Sequence, residues 1–155
     1  FLICLSISFP LHTISFVACS CLLITFSDSL SRFDPDPLCV LVSGFLENAI
    51  IALVLDVAQR RSAPEIALFV ERQLDYWTNP TCEKIAKLLG NFKQDWRIAT
   101  EKYLVDERKA TVSSLVKLRH KIAHGESVGT SLAQVKDYYK TVLDVVNFVA
   151  DLVDT

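Results

Sequence analysis

The sequence predicts an all-α protein, an up-and-down bundle of about five to six helices. Over most of residues 38–155, apolar residues recur every three or four positions, as they do on the buried face of a helix. No stretch of any length shows the apolar–polar alternation of a half-buried strand. The chain has 155 residues, of which 51% are hydrophobic, with only four Gly and five Pro. It is therefore long enough for one folded domain with a substantial core, and disorder is not expected.

The first 37 residues differ in composition from the rest and form a separate segment. Residues 1–26 carry no charge apart from His12, and they are long enough to cross a bilayer. Three interpretations stay open: a membrane or signal segment, a buried first helix, or sequence foreign to the domain. The lack of Lys or Arg before Arg32 argues against the first, and the abrupt change at residues 27–28 slightly favours the third. Because the chain starts with Phe rather than Met, we expect a fragment or a processed chain.

The five cysteines do not form a metal-binding pattern. None is spaced from another cysteine or from a histidine as zinc ligands are. We therefore expect reduced, mostly buried thiols in a cytoplasmic protein without a metal or another cofactor. The cysteines are Cys4, Cys19, Cys21, Cys39 and Cys82.

The best boundary in the chain is residues 34–37, Asp-Pro-Asp-Pro. Since a residue before proline is pushed out of the helical region, this stretch is predicted to be an extended or turn segment. The domain of residues 38–155 then opens with a helix over 38–59 that is apolar nearly all round, hence central or at an interface. Glu47 is the only charge in that helix before Asp56, so we expect it to be paired.

The remaining helices are predicted from caps and helical spacing. Ser62 with Glu65, and Ser131 with Gln134, match the capping box, in which a serine and a residue three positions later satisfy the first N–H groups. Residues 79–80, Asn-Pro, are predicted to cap a short helix. One helix is expected from the Ser62 cap to about residue 77, and a short one from the residue 79 cap to about residue 90. Three further helices are expected over residues 94–105, 106–124 and 132–153.

The helix over residues 106–124 has an unusual apolar face. Arg119 lies in the middle of that face, and an arginine cannot lose its charge, so it must be paired or face a second surface. We expect Arg119 to approach Glu47. His120 and His124 lie one turn apart at the margin of the same face, and Gly125 is predicted to end the helix. The apolar residues of the face are Val112, Leu115, Val116, Leu118, Ile122 and Ala123.

The charge pattern is compatible with only a local nucleic-acid site. The formal net charge is −2, so no global basic field attracts nucleic acid. From Arg97 to Lys121, however, there are seven Lys or Arg against three Asp or Glu. An ordinary solvated helix face explains this excess equally well. Lys117 and Lys121 are the candidate contacts to an RNA backbone.

The segment Arg119-His120-Lys121-Ile122-Ala123-His124 resembles the HEPN motif of an arginine, a polar residue, three residues and a histidine. Together with the upstream stretch LVSGFLENAI, it is similar to the RiboL-PSP-HEPN and MAE-like HEPN groups. The resemblance covers roughly residues 38–155. It implies a helical, dimeric, metal-independent endoribonuclease, such as a toxin or defence effector, with an antitoxin or a fused partner domain as a further partner.

The resemblance also implies residue roles. Arg119 would hold the phosphate and His124 would act as general base or acid, with His120 in support. The polar residues Glu47 and Asn48 of the helix over 38–59 are further supporting candidates, and a purely structural ion pair explains Glu47 at least as well. Residues five apart on a helix diverge by about 140°. Both catalytic groups therefore reach one phosphate only if the helix end bends or a partner contributes, and the family's solution is an isologous homodimer.

Two other function classes remain. The first is a non-catalytic helical dimerisation or interaction module, in which Arg119 and Glu47 form an orienting ion pair and His124 is a favourable partner of the helix dipole. The second is a small membrane-anchored protein, which rests only on residues 1–26 and which the sequence makes the weakest of the three.

Overall fold

In the computed structural model of this protein, residues 35–155 are described, and they form six α-helices and no strand. The predicted all-α fold class is confirmed. These residues belong to one unit, Asp34–Thr155. The interpretations of residues 1–34, including those of Cys4, Cys19 and Cys21, lie outside the described residues. The helices are α1 (Pro35–Arg61), α2 (Pro64–Leu74), α3 (Cys82–Gly90), α4 (Gln94–Tyr103), α5 (Asp106–Ala123) and α6 (Leu132–Asp154).

Helix α1 is the central element, as its uniformly apolar sequence predicts. It packs against α2, α5 and α6, and Leu46 and Ile50 are fully buried within it. Each such side chain contributes about 1.5–3 kcal/mol relative to an exposed one. By length and composition alone α1 could cross a bilayer, yet half of its most apolar window is buried within the domain, as in a core helix.

Helices α1 and α6 run parallel and are joined at both ends. At their C-terminal ends, Arg60 pairs with Asp154 at 3.1 Å, and Arg61 donates a hydrogen bond to the Val153 carbonyl at 3.0 Å. At their N-terminal ends, the buried Asp36 carboxylate accepts hydrogen bonds from loop residues just before α6. The shared core is completed by α6 residues with no exposed surface: Val142, Val145, Val146 and Val149.

The start of α1 differs from the prediction. The helix begins at Pro35, not at Leu38, so residues 35–37 are helical rather than an extended linker. Proline is tolerated in the first turn, where the backbone N–H groups have no helical partner. The preference of Asp36 for extended backbone is overridden because its carboxylate reaches the loop before α6 from this position.

Two predicted caps are wrong and one is partly right. Ala63, not Ser62, precedes α2, and the Ser62 hydroxyl donates to the Ala58 carbonyl at 2.6 Å because α1 extends to Arg61. Helix α2 ends at Leu74, three residues before the predicted end. Thr81, not Asn79, caps α3 by accepting a hydrogen bond from an α3 N–H.

The capping of α6 follows the first half of the predicted box. The Ser131 hydroxyl accepts a hydrogen bond from the Gln134 N–H at 3.2 Å. The Gln134 side chain, however, donates to the Tyr138 hydroxyl instead of reaching back to Ser131. Only one of the two hydrogen bonds of a capping box is therefore present at the start of α6.

Candidate functional site

Arg119 and Glu47 approach each other, as the sequence predicts. The Arg119 Nη1 atom lies 3.7 Å from Glu47 Oε2, so α5 and α1 are joined by an ion pair. The two side chains are 28% and 15% exposed, respectively. At this depth an unpaired charge would be costly, which explains why the only carboxylate in the middle of α1 faces the arginine of α5.

Asn79 completes this pair, and sequence reasoning missed it. Its backbone N–H donates to Glu47 Oε2 at 2.8 Å, and its side-chain Oδ1 accepts from Arg119 Nη1 at 2.7 Å. Both contacts are shorter than the direct approach of the two charges. Asn79 lies in the loop between α2 and α3, where its φ angle is 55°. The signal available in the sequence was an Asn-Pro pair in a loop, which we interpreted as a helix cap.

The Arg119 guanidinium is held along one edge only. Nη1 makes the contacts to Asn79 and Glu47. The Nε–H and Nη2 groups donate no hydrogen bond to any residue in 35–155. These two groups form the planar fork that binds two oxygens of a phosphate at once.

The end of α5 is closed by a glycine motif, as predicted. Gly125 has a φ angle of 80°, its N–H donates to the Ile122 carbonyl at 2.9 Å, and the Glu126 N–H donates to the Lys121 carbonyl at 3.0 Å. These are the two hydrogen bonds of a Schellman motif. They fix His124 as the last residue before the turn.

His124 and His120 form an exposed pair at this helix end. Their ring centroids are 4.4 Å apart, with an interplanar angle of 71°. Both residues are exposed, and neither imidazole makes a hydrogen bond or ion pair within the described chain. Nor does any contact join His124 to Arg119 in this part of the chain. Since α5 stays regular to Ala123, the helix end does not bend to bring the two groups together.

The other candidates lie around this site without joining it. Lys117 and Lys121 are exposed on the face of α5 that carries His120 and His124, and the stretch of residues 117–124 includes no acidic side chain. Asn48 is exposed on α1, and its side chain makes no hydrogen bond to residues 35–155. The structure therefore gathers Arg119 and Glu47 in one cluster and the histidines and lysines on a neighbouring surface.

The loop after the motif is held by Asp36. Its carboxylate accepts hydrogen bonds from the Val128 N–H at 3.1 Å and from the Thr130 N–H at 3.3 Å. Nearby, burial raises the pKa of the Cys39 thiol; a hydrogen bond with Thr130 lowers it in part, and the Asp36 charge raises it further. Cys39 is thus a protonated, buried thiol.

Cys82 is also free and buried, and its pKa is raised by burial and by the charge of Glu83. Among residues 35–155, no three His, Cys, Asp or Glu side chains are grouped as a metal site would need. The expectation that no metal or cofactor takes part stays a prediction.

An all-helical domain with an anchored arginine and a histidine at the end of the same helix has the features of a HEPN-type domain. The family model described as RiboL-PSP-HEPN matches residues 28–155, which is most of the chain. The protein therefore belongs to the RiboL-PSP-HEPN family, which confirms the resemblance found in its sequence. No match was found among the curated proteins or the solved structures. Membership of a HEPN family points to an RNase-type or nucleotide-related function.

Proposed function

We propose that this domain is a metal-independent endoribonuclease that cleaves RNA by acid–base catalysis at a site shared by two copies of the chain. The observation that carries the proposal is the Arg119 guanidinium. It is anchored through Nη1 by Asn79 and Glu47, and its Nε–Nη2 fork is not used by other residues of the described chain. A catalytic role needs that fork, whereas a purely structural ion pair does not.

The chemistry assigns one task to each group. A base removes the proton of the ribose 2′-hydroxyl, the 2′-oxygen attacks phosphorus, and the bond from phosphorus to the 5′-oxygen breaks as an acid protonates that oxygen. Histidine has an ordinary pKa near 6.5 and suits both proton transfers. We assign one of them to His124, and we assign stabilisation of the negative charge on the phosphorane to Arg119.

The geometry supports a site built from two copies. Arg119 and His124 diverge by about 140° on a regular helix, so the two groups of one chain face different directions. In an isologous dimer, Arg119 of one protomer can meet His124 of its partner. On α1, the exposed residues Leu41, Asn48 and Ala52 lie along one face, and Leu41 is 63% exposed, which suits the dimer contact.

The surface around the histidines suits an RNA strand. Lys117 and Lys121 are exposed beside His120 and His124 and would neutralise phosphates on either side of the cleaved bond. His120, whose ring contacts that of His124, would orient it or the substrate. A cytoplasmic toxin or defence effector, restrained by an antitoxin or a fused partner domain, is the biological role that fits this activity.

The test is cleavage of a mixed RNA substrate in the presence of EDTA. The wild type is compared with Arg119→Ala, His124→Ala and the control Arg72→Ala, which removes an exposed arginine of α2. We expect wild-type cleavage to survive chelation and both site variants to lose about 10²–10⁴-fold in rate while staying folded. Absence of wild-type cleavage, or equal rates in all four proteins, would reject the proposal.

A second candidate is a non-catalytic dimerisation or interaction module. The observation that favours it is the exposed apolar surface of α2, where Ile66 is 54% and Phe69 is 60% exposed. Neither side chain is needed for RNA cleavage. If the wild type does not cleave RNA, and if Ile66→Asp and Phe69→Asp abolish self-association or partner binding, this function replaces the first.

A further inference from the structure

Three features of Asn79 single it out from the other loop residues. Its φ angle of 55° is a left-handed conformation that few residues other than glycine adopt, although asparagine tolerates it. Its carbonyl accepts a hydrogen bond from the Thr81 N–H at 2.8 Å, closing a tight turn around the buried Pro80. Its Nδ2 group lies 3.4 Å from the Thr78 hydroxyl. The backbone and side chain of Asn79 are thus both held in place.

This conformation lets one residue contact both members of the ion pair. The backbone N–H points to Glu47 and the side-chain Oδ1 to Arg119, at 2.8 Å and 2.7 Å. The direct distance between the charges, 3.7 Å, exceeds that of a hydrogen bond. The orientation of the guanidinium is therefore set by the Asn79 oxygen, and Glu47 compensates its charge from farther away.

The choice of a neutral amide has an electrostatic consequence. Glu47 and Arg119 together carry no net charge, and an amide oxygen at position 79 leaves that balance unchanged. A carboxylate there would make the cluster negative and repel a phosphate. Glycine would allow the same backbone conformation but would provide no oxygen.

We propose that Asn79 is a positioning residue for Arg119: it holds Nη1 so that the Nε–Nη2 fork is presented to the phosphate of the substrate. This role rests on the proposed function, because it assumes that Arg119 binds a phosphate. Asn79 itself does not contact the reacting atoms.

The test uses the full chain with three variants. Asn79→Gly keeps the left-handed backbone and the N–H donor to Glu47 and removes the side-chain amide, that is the Oδ1 acceptor for Arg119 and the Nδ2 contact with Thr78. Asn79→Asp keeps an oxygen at that place and adds a negative charge. Tyr76→Ala is the control, since Tyr76 lies in the same loop and is 89% exposed.

The first measurement is independent of catalysis. With ¹⁵N-labelled arginine, and Arg119→Lys to assign the signal, we expect separate Nη1 and Nη2 resonances for Arg119, because the hydrogen bond to Asn79 hinders rotation of the guanidinium. They should merge in Asn79→Gly and stay separate in Asn79→Asp and Tyr76→Ala. Merged signals already in the wild type, or separate ones in Asn79→Gly, would overturn the positioning role.

The second measurement separates orientation from charge. We expect Asn79→Gly to lower kcat about tenfold, the usual effect of losing one hydrogen bond to a charged group, with a smaller change in KM. Asn79→Asp should mainly raise KM. A wild-type kcat in Asn79→Gly would contradict the proposal.

If the wild type does not cleave RNA, the proposed function fails, but Asn79 can still be tested by binding of an RNA with methylated 2′-hydroxyls. In that case a roughly tenfold weaker Kd in Asn79→Gly supports the positioning role. An unchanged Kd rejects it.

Discussion

Arg119 and His124 lie only five residues apart on α5, yet their environments are opposite. Arg119 is 28% exposed and is held by residues of two other elements, Glu47 of α1 and Asn79 of the loop before α3. His124 is exposed at the end of the helix, and its one ring contact among residues 35–155 is His120 on the same helix. The cation is fixed by tertiary structure, whereas the histidine depends on local structure alone.

This difference matches what each group would have to do in the proposed reaction. A cation that stabilises a developing charge is most effective when it is already oriented, because no reorganisation is then needed during the reaction. A group that transfers protons needs access to both solvent and substrate. The comparison teaches that the short motif carries two separable parts, and in the function proposed above a second copy of the chain completes the surroundings of the exposed part.

The largest expected effect comes from combining the two parts in trans. A heterodimer of Arg119→Ala with His124→Ala, purified with two different tags, should recover about half of the wild-type activity, because one of its two composite sites is intact. Each variant alone should be inactive. Cleavage rates of the three purified dimers check this.

The control is a heterodimer of the wild type with the double variant, which has no intact site if the residues pair between chains. If this dimer keeps half of the activity and the first does not, Arg119 and His124 act within one chain. The comparison between the fixed and the exposed part would then need revision.

The next effect concerns the fixed part. Glu47→Gln keeps an acceptor for the Asn79 N–H but removes the charge that balances Arg119. Since the pair is partly buried, we expect a loss of about 1–2 kcal/mol in the free energy of unfolding, measured by urea denaturation. The control Glu71→Gln, on an exposed position of α2, should change it little. If Glu47→Gln were as stable as the wild type, the ion pair would not anchor α5 to α1.

A smaller effect concerns the turn at the end of α5, next to the exposed His124. Gly125→Ala places a side chain on a residue with a φ of 80°, where no other atom would clash with the new Cβ, so the cost is backbone strain of about 1 kcal/mol. Gly44→Ala, inside α1 and also without a clash, should stabilise by about 0.5–1 kcal/mol. Thermal unfolding of both variants measures the two changes in stability. If Gly125→Ala and Gly44→Ala changed stability with the same sign, the assigned role of Gly125 in the turn after α5 would be contradicted.

The smallest effect is the dependence of stability on alkaline pH. Burial raises the pKa of Cys39, so the folded chain holds the thiol proton more tightly than the unfolded chain does. This contribution to stability is complete below the ordinary pKa of a thiol, about 8.5, and is lost as the pH rises through the higher folded value. Cys39→Ala should therefore lose less stability than the wild type between neutral and alkaline pH, as urea denaturation at several pH values would show. An identical pH dependence would contradict this assignment.

Most of the fold could be predicted because helical periodicity and glycine signals are local. The Gly125 turn, the α6 cap and the approach of Arg119 to Glu47 follow from residue types alone, since two misplaced charges in apolar helices have few other partners. The wrong caps at Ser62 and Asn79 arose because both residues use their polar groups on neighbouring elements rather than on the helix that follows them.

The candidate site could be predicted only in part for the same reason. Arg119 and His124 are recognisable from their spacing, but the role of Asn79 depends on where a loop passes between two helices. Nothing in a one-dimensional pattern distinguishes this asparagine from an ordinary turn residue before proline. The helix start at Pro35 was missed because the carboxylate that stabilises it binds a loop more than ninety positions away, Val128 being 92 residues from Asp36.

The contact of Asp36 with that loop has a consequence for trimming the domain. A shortened protein that started at Leu38, where the apolar part of the α1 sequence begins, would keep nearly all of the α1 core. It would nevertheless lose the only side chain that binds the Val128 and Thr130 N–H groups in the described part of the chain. Starting the protein after Asp36 would therefore loosen the segment that follows His124, and a boundary that leaves folding intact would still damage the site.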